Sequence, residues 1–144
     1  MNLSAKIEVQ RGNCEALEHF LADRIYEFNA QATGYFDGES FSATQKDSEG
    51  AVVAGITGYT WGGCCFVSNL WVSESIRGSG VGRGLLVATE HDAIARGCSV
   101  VLLSTHSFQS PAFYERMGYE RRAVIIDHPV GFSNIFYSKR LSQS

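Results

Sequence analysis

From Asn69 to Leu86 the chain reads as an apolar stretch, then Arg77, then glycines at positions 78, 80, 82 and 84, then Leu85-Leu86. Glycines at alternate positions let a backbone curl tightly and keep side chains out of a ligand's way. A turn that opens a helix also presents amides with no intrahelical partner, at the positive end of the helix dipole. The chemistry that this combination serves is the binding of an anion, above all a phosphate, and Arg77 adds a fixed positive charge at the rim. Spacing separates the possible motifs. A P-loop needs Lys followed by Ser or Thr after its last glycine, where this chain has Arg83 and Leu85. A dinucleotide fingerprint needs a glycine at position 83 or 85, and an acidic residue roughly twenty residues on, where the apolar run Val100 to Leu103 stands instead.

What remains is Arg-x-x-Gly-x-Gly at Arg77, Gly80 and Gly82, preceded by Leu-x-Val at Leu70 and Val72. This resembles the acetyl-coenzyme A signature of the GNAT superfamily of N-acetyltransferases. The resemblance runs from about Val53 to Leu141, with a second block at Thr105 to Tyr119 and a third at Asp127 to Leu141. It implies a GNAT fold, α/β, with a mixed and mostly antiparallel central sheet of about six or seven strands flanked by helices. It also implies that the strand at Leu70 to Val72 pairs with the pantetheine arm and that the turn amides hold the pyrophosphate. The cofactor residues carried over by position are Leu70, Trp71, Val72, Arg77, Gly78, Ser79, Gly80, Val81, Gly82, Arg83 and Gly84. Arg83 reads equally well as a solvated surface charge.

The second block ends Phe113-Tyr114-Glu115-Arg116-Met117-Gly118-Tyr119, similar to the family's Phe-Tyr-x-x-x-Gly-Phe/Tyr. Tyr114 then stands where the family keeps the tyrosine that protonates the departing thiolate. Ser107 occupies a position where many relatives carry asparagine, so the resemblance carries no cofactor contact over to it. Asp127-His128-Pro129-Val130-Gly131-Phe132 resembles a family turn Asp-Tyr-Pro-x-Gly-His, with Phe132 in place of the histidine. Any acid–base role of that histidine is absent here.

Forming an amide from a thioester requires an uncharged amine. An amine with a pKa near ~10.4 is neutral in fewer than about one molecule per thousand at pH 7, which adds roughly 4 kcal/mol to the barrier. A carboxylate or histidine that takes the proton is therefore expected. Glu74, just beyond the cofactor strand, is the first candidate; His106, Asp127 and His128 are the others. Asn29, Tyr35, Phe36, Asp37, Glu39 and Trp61 would line an acceptor pocket if the early loop folds over the sheet end, and aromatic faces beside carboxylates suit a cationic amine. The same aromatics read equally well as anchors of that loop.

The elements that position these residues follow from periodicity and punctuation. Lys6 to Gln10 alternates like a short first strand. A helix follows from about Asn13, its cap, with Leu17, Phe20, Leu21, Ile25 and Phe28 forming a stripe that packs on a sheet. Residues 31–40 read as a loop or a frayed helix. Strands are expected at Phe41 to Lys46, Ala51 to Trp61 and Cys64 to Val72, the first two forming a hairpin around Asp47-Ser48-Glu49-Gly50. The glycine turn launches a helix from Gly80 to Arg96 that stops at Gly97. Ser99 to Thr105 is an apolar run expected of a strand covered on both faces. Ser110-Pro111 starts a short helix with serine as cap, ended by Gly118, before two last strands at Tyr119 to Ile126 and Asn134 to Arg140.

At 144 residues, 44% hydrophobic and with nine Phe, the chain is expected to form one domain over residues 1–144. No apolar run reaches the roughly 20 residues of a membrane span, and residues 1–10 lack the pattern of a signal peptide. A cytoplasmic protein that does not engage a membrane is the expectation. The net charge of −3 and the lack of a basic block exclude a nonspecific nucleic-acid binder. Cys14, Cys64, Cys65 and Cys98 lack metal-ligand spacing and read as buried free thiols; no metal is expected. The resulting expectation is an acetyl-CoA-dependent N-acetyltransferase that passes the acetyl group directly to a primary amine of a small cationic molecule, as a homodimer by analogy. Two rivals stand beside it: a noncatalytic acyl-CoA-binding regulatory module, and an enzyme acetylating a protein or peptide amine.

Overall fold

The computed structural model describes residues 2–3 and 6–142; Met1, Ser4, Ala5, Gln143 and Ser144, the ends of the expected domain, lie outside them. Backbone contacts divide the chain into two compact units, Met1–Tyr35 and Phe36–Ser144.

In the first unit, residues 6–14 take no regular structure, so the expected strand at 6–10 does not form. Its alternation is real, with Ile7 and Val9 exposed, but a strand exists only when its backbone groups find a partner strand. Helix α1 spans Glu15–Thr33. Its N-cap is Cys14 rather than Asn13, without a side-chain cap bond, and Gly34 closes it in the left-handed region, its amide bonding to the Ala30 carbonyl. Leu17, Phe20, Leu21, Ile25 and Phe28 are between 48% and 71% exposed.

The second unit is a six-stranded sheet built from β1 (Glu39–Lys46), β2 (Val52–Trp61), β3 (Cys64–Val72), β4 (Val100–His106), β5 (Glu120–Ile126) and β6 (Ser133–Arg140), in the order β1-β2-β3-β4-β6-β5. Only β3 and β4 run parallel; the other neighbours are antiparallel. A parallel pair needs a crossover, and helix α2 (Val81–Ala95) supplies it. Asp47 sets the β1–β2 turn by accepting the Glu49 and Ala51 amides on Oδ1. The short helix α3 (Pro111–Arg116) starts with proline in its first turn, but the Ser110 side chain makes no cap bond.

One face of the sheet carries the core. Ala54 and Ile56 of β2, Cys65 and Val67 of β3, Val101 and Leu103 of β4, and Ile135 and Tyr137 of β6 pack with Leu85, Leu86 and Ala93 of α2 and Tyr114 of α3. Both helices lie on this face, so β4 alternates buried and exposed residues instead of being enclosed on both sides as its apolar run suggested, and Leu102 is 37% exposed. Glu90 is buried in the core yet paired: Tyr119 Oη donates to one carboxylate oxygen at 2.8 Å and Lys139 Nζ to the other at 2.9 Å. Pairing both oxygens offsets the desolvation of the charge. Among the cysteines, Cys65 and Cys98 are buried free thiols as expected, whereas Cys14 is exposed.

Candidate functional site

The parallel pair β3–β4 is joined only at its beginning. Cys64, Cys65 and Phe66 face Val100, Val101 and Leu102, and beyond them the strands part, leaving β3 from Val67 to Val72 and β4 from Leu103 to His106 as the two sides of an open wedge. The cause lies one strand away. On β2 the pairing with β3 slips between Thr57 and Gly58, so that Ser68 is an extra residue on β3, and a bulge of this kind bends the strand that carries it. Gly58 makes the bulge possible, since a Cβ there would overlap the Phe66 carbonyl oxygen and the Phe41 ring. β3 therefore turns away from β4 where its own edge still has backbone groups to offer.

At the mouth of the wedge stands the glycine turn. Gly78 and Gly80 have φ of 81° and 90°, a region in which a side chain is strained. Arg77 Nε donates to the Val72 carbonyl at 3.0 Å, tying the turn to the end of β3. The Ile76 and Arg77 amides are used within the turn, and the Gly84 amide reaches the Gly80 carbonyl at 2.9 Å. Among the described residues, the amides of Gly78, Gly80, Val81, Gly82 and Arg83 have no backbone acceptor. Five donors thus stand together at a helix start, in exposed or half-exposed backbone. No atom lies within 4 Å of where a Cβ of Gly78 or Gly80 would be, so the approach to the turn is open.

Turn, wedge and α3 enclose a cleft of about 620 Å³. Of the cofactor residues expected from the sequence, Leu70, Trp71, Val72, Arg77, Gly78, Gly80, Val81, Gly82 and Arg83 line it, while Ser79 and Gly84 do not. Its far wall was not anticipated: Phe108, Gln109, Ser110, Phe113 and Arg116, placed by α3 and the loop before it. Gln109 Oε1 accepts the His106 amide at 2.7 Å and lies 3.2 Å from Thr105 Oγ1, which fixes that loop on the end of β4. The sequence signal was present in Phe113 and Arg116, both inside the quoted second block.

Tyr114 also lines the cleft. It is 8% exposed, its ring packed among Phe113, Tyr119 and Tyr137 at centroid distances of 5.1, 6.0 and 6.1 Å. Burial pushes its phenol pKa up, so the hydroxyl keeps its proton. The next residue anchors the helix: the Glu115 carboxylate accepts Tyr137 Oη at 2.6 Å and Arg121 Nε at 2.7 Å. The Tyr137 bond, then Arg121, hold the Glu115 carboxyl below the usual range.

None of the candidate bases Glu74, His106, Asp127 and His128 lines the cleft, although His106 packs behind its wall. Glu74 begins a 3-10 turn of three residues, is exposed, and does not line the cleft. His106 ends β4, with Nδ1 2.9 Å from the His128 carbonyl and its ring stacked on Phe108 at 5.3 Å. Phe108 meets Phe132 edge to face. Asp127, at φ 59°, accepts the Gly131 amide and shapes the β5–β6 turn. Ser107 bonds Ser133 through both its amide and its hydroxyl oxygen, which makes it a strand tether.

Of the expected acceptor residues, Asn29 and Tyr35 belong to the first unit and Phe36 and Trp61 to the second. Asn29 uses its carbonyl to accept Thr33 Oγ1. Trp61 pairs with Cys64 at the closed end of the wedge, roughly 20 Å along β3 from Leu70 at about 3.3 Å per residue. Asp37 Oδ1 accepts the Gly62 amide at 2.9 Å and Glu39 pairs with Arg96 at 2.7 Å, so both carboxylates have protein partners.

An acetyltransferase of Agrobacterium fabrum is 29% identical over 104 residues, 72% of this chain and 76% of its own. Blasticidin-S acetyltransferase of Streptomyces morookaense is 34% identical over 104 residues, with the same coverage. The crystal structure of an acetyltransferase from Bacillus cereus superposes with a TM-score of 0.79 at 31% identity, covering 93% of this chain and 98% of that one. The profile of the acetyltransferase (GNAT) family matches residues 9–119. Splayed strands, an amide-rich turn at their mouth and the matched sequence agree, and the chain belongs to the GNAT acetyltransferase family.

Proposed function

We propose that residues 1–144 act as one acetyl-CoA-dependent N-acetyltransferase domain, which transfers the acetyl group directly to a primary amine of a small, cationic acceptor. The observation that carries this reading is the set of unpartnered amides from Gly78 to Arg83 opening on a wedge whose far wall holds Tyr114. Acetyl-CoA supplies an activated acyl group as a thioester. The turn amides and Arg77 bind its diphosphate, and the free edge of β3 at Leu70 to Val72 offers backbone donors and acceptors to the arm. Tyr114 holds a proton at its hydroxyl against the cleft, where the departing sulfur needs one. Glu74 is proposed as the base, acting through water, because its exposed position leaves no direct line to the cleft. The acceptor contacts proposed are Asn29, Tyr35, Phe36 and Trp61. A relative named for acetylating blasticidin S supports a small-molecule acceptor.

The test is thiol release from acetyl-CoA with a panel of polyamines, aminoglycosides, amino acids and peptides. Turnover with a small amine supports the reading; turnover confined to peptides replaces the acceptor class. Tight coenzyme binding without turnover on any amine makes the protein a binding module. Within an active enzyme, Glu74→Gln that leaves the pH–rate profile unchanged removes Glu74 as the base.

A further inference from the structure

A charged group lies in the core with no part in the proposed reaction. Glu90 is buried on α2, about 15 Å along the helix from Gly80 at roughly 1.5 Å per residue. Both of its carboxylate oxygens are taken, Oε2 by Tyr119 Oη at 2.8 Å and Oε1 by Lys139 Nζ at 2.9 Å. Apolar side chains in place of such a buried pair are often neutral for stability. Hydrogen bonds, however, are directional and fix a register that apolar contacts leave free to slide.

The register that Glu90 fixes is read from its partners. Tyr119 follows α3 and is joined to Tyr114 twice. Its amide donates to the Tyr114 carbonyl at 3.0 Å, and its ring meets the Tyr114 ring edge to face, with centroids 6.0 Å apart at 78°. Lys139, on β6, stands over the same Tyr119 ring at 5.5 Å. Glu90 thus ties together α2, which begins at the free amides, β6, and the segment that ends α3 and holds Tyr114. The Tyr114 hydroxyl itself has no hydrogen-bond partner among the described residues, so the packing of its ring is what places it.

We infer that Glu90 and Tyr119 are positioning residues, which set the distance from the amide turn at the start of α2 to the Tyr114 hydroxyl. The inference rests on the reading of Tyr114 as the acid. A carrier gripped by one helix and protonated from another reacts only while the two helices keep register, and a misplacement of about 1 Å can cost up to about 10²-fold in rate. The bond from Tyr119 to Glu90 opposes that slip.

Tyr119→Phe keeps the ring and removes its anchor. In the full chain, with thiol release measured at saturating acetyl-CoA and an amine of the panel above, kcat should fall about fivefold or more. Calorimetric affinity for coenzyme A should stay within about twofold, because the turn amides are untouched. In a Tyr114→Phe background the same change should cost less than about twofold, since no hydroxyl is left to misplace. The double variant Tyr119→Phe/Glu90→Met removes both partners and leaves no orphaned carboxylate, and Lys139, 25% exposed, can turn to water. It should fold even where the single variant does not, and show the same loss of kcat. A wild-type kcat in either folded variant, or an equal loss with and without the Tyr114 hydroxyl, overturns the positioning role and leaves Tyr114 as the acid. A Tyr114→Phe enzyme with wild-type kcat, or no turnover of any amine by the wild type, overturns both.

Discussion

Replacing Tyr114 with phenylalanine isolates the proton that the cleft wall holds. The substitution removes one oxygen and leaves the ring among Phe113, Tyr119 and Tyr137. Among the described residues no hydrogen bond is made by the Tyr114 hydroxyl, so no partner is orphaned and stability should change by less than about 1 kcal/mol. The rate should respond differently. A positioned general acid contributes about 10²- to 10⁴-fold, and a cleft this open lets water substitute in part, which points to the lower end. We expect kcat to fall about 10- to 100-fold, or roughly 1.4 to 2.7 kcal/mol in the barrier, with coenzyme affinity within about twofold by calorimetry. Because burial raises the Tyr114 pKa above the ordinary 10.0, the wild-type hydroxyl stays protonated at neutral and mildly alkaline pH. The rate loss should accordingly be the same at pH 6.5 and pH 8.5. A Tyr114→Phe enzyme with wild-type kcat, measured by thiol release at saturating acetyl-CoA, removes this residue from the chemistry.

Three further outcomes follow from other parts of the site. Gly80→Val should weaken coenzyme binding at least tenfold, through backbone strain of about 1–3 kcal/mol at φ 90° rather than through a clash. Gly84→Ala, in helical backbone with open space and no place in the cleft, should keep coenzyme affinity and gain up to about 1 kcal/mol of stability; equal weakening by both changes refutes the assignment of the amides. Gly58→Ala should destabilise the fold by about 3 kcal/mol or more, read by urea denaturation, whereas Gly55→Ala, whose Cβ would meet the Ala43 carbonyl at 3.4 Å, should be tolerated. The alkaline limit of stability should come from buried acids: the Cys65 thiol is raised from 9.0 to about 12, chiefly by burial. The folded state then keeps a proton that the unfolded chain sheds, so stability present below pH 9 is lost as pH rises from there toward 12. Tyr119, raised by burial and then by Glu90, acts in the same direction above pH 10. Unfolding midpoints at pH 8 and pH 10.5 should differ, and Cys65→Ala should shrink the difference; no pH dependence in that interval contradicts the reasoning.

The glycine turn was legible because it is local. Glycine spacing, the helix start at residue 81 and the stop at Gly97 are all set by residues within a few positions of one another. The strands of the sheet were legible for the same reason, to within a residue or two at each end. What escaped were features decided by a neighbour in space. Lys6 to Gln10 alternates like a strand, but pairing decides whether it becomes one. Val100 to Leu103 reads as enclosed on both faces, but the placement of both α2 and α3 on one face decides its exposure. The bulge at Ser68 has no local mark; its sign is Gly58 on the facing strand, which reads from sequence as an ordinary small residue in a strand. Asp37 and Glu39, taken as open carboxylates for a cationic acceptor, are engaged by the Gly62 amide and by Arg96, partners 25 and 57 positions away in the chain numbering.

The same distinction bears on how the site handles charge. Summed over the chain, acids outnumber bases, which favours approach of a cationic acceptor and opposes an anionic carrier. The fold reverses that balance locally by pairing arginines with carboxylates elsewhere and leaving three in one cleft that have no carboxylate partner among the described residues. Clefts with low-dielectric walls focus such a field, and salt screens it over about 8–10 Å. On the proposed reading, an anionic carrier and a cationic acceptor are thereby attracted to different parts of one molecule. The wedge between β3 and β4, beside the bulge that Gly58 admits, is where that reading has the two meet.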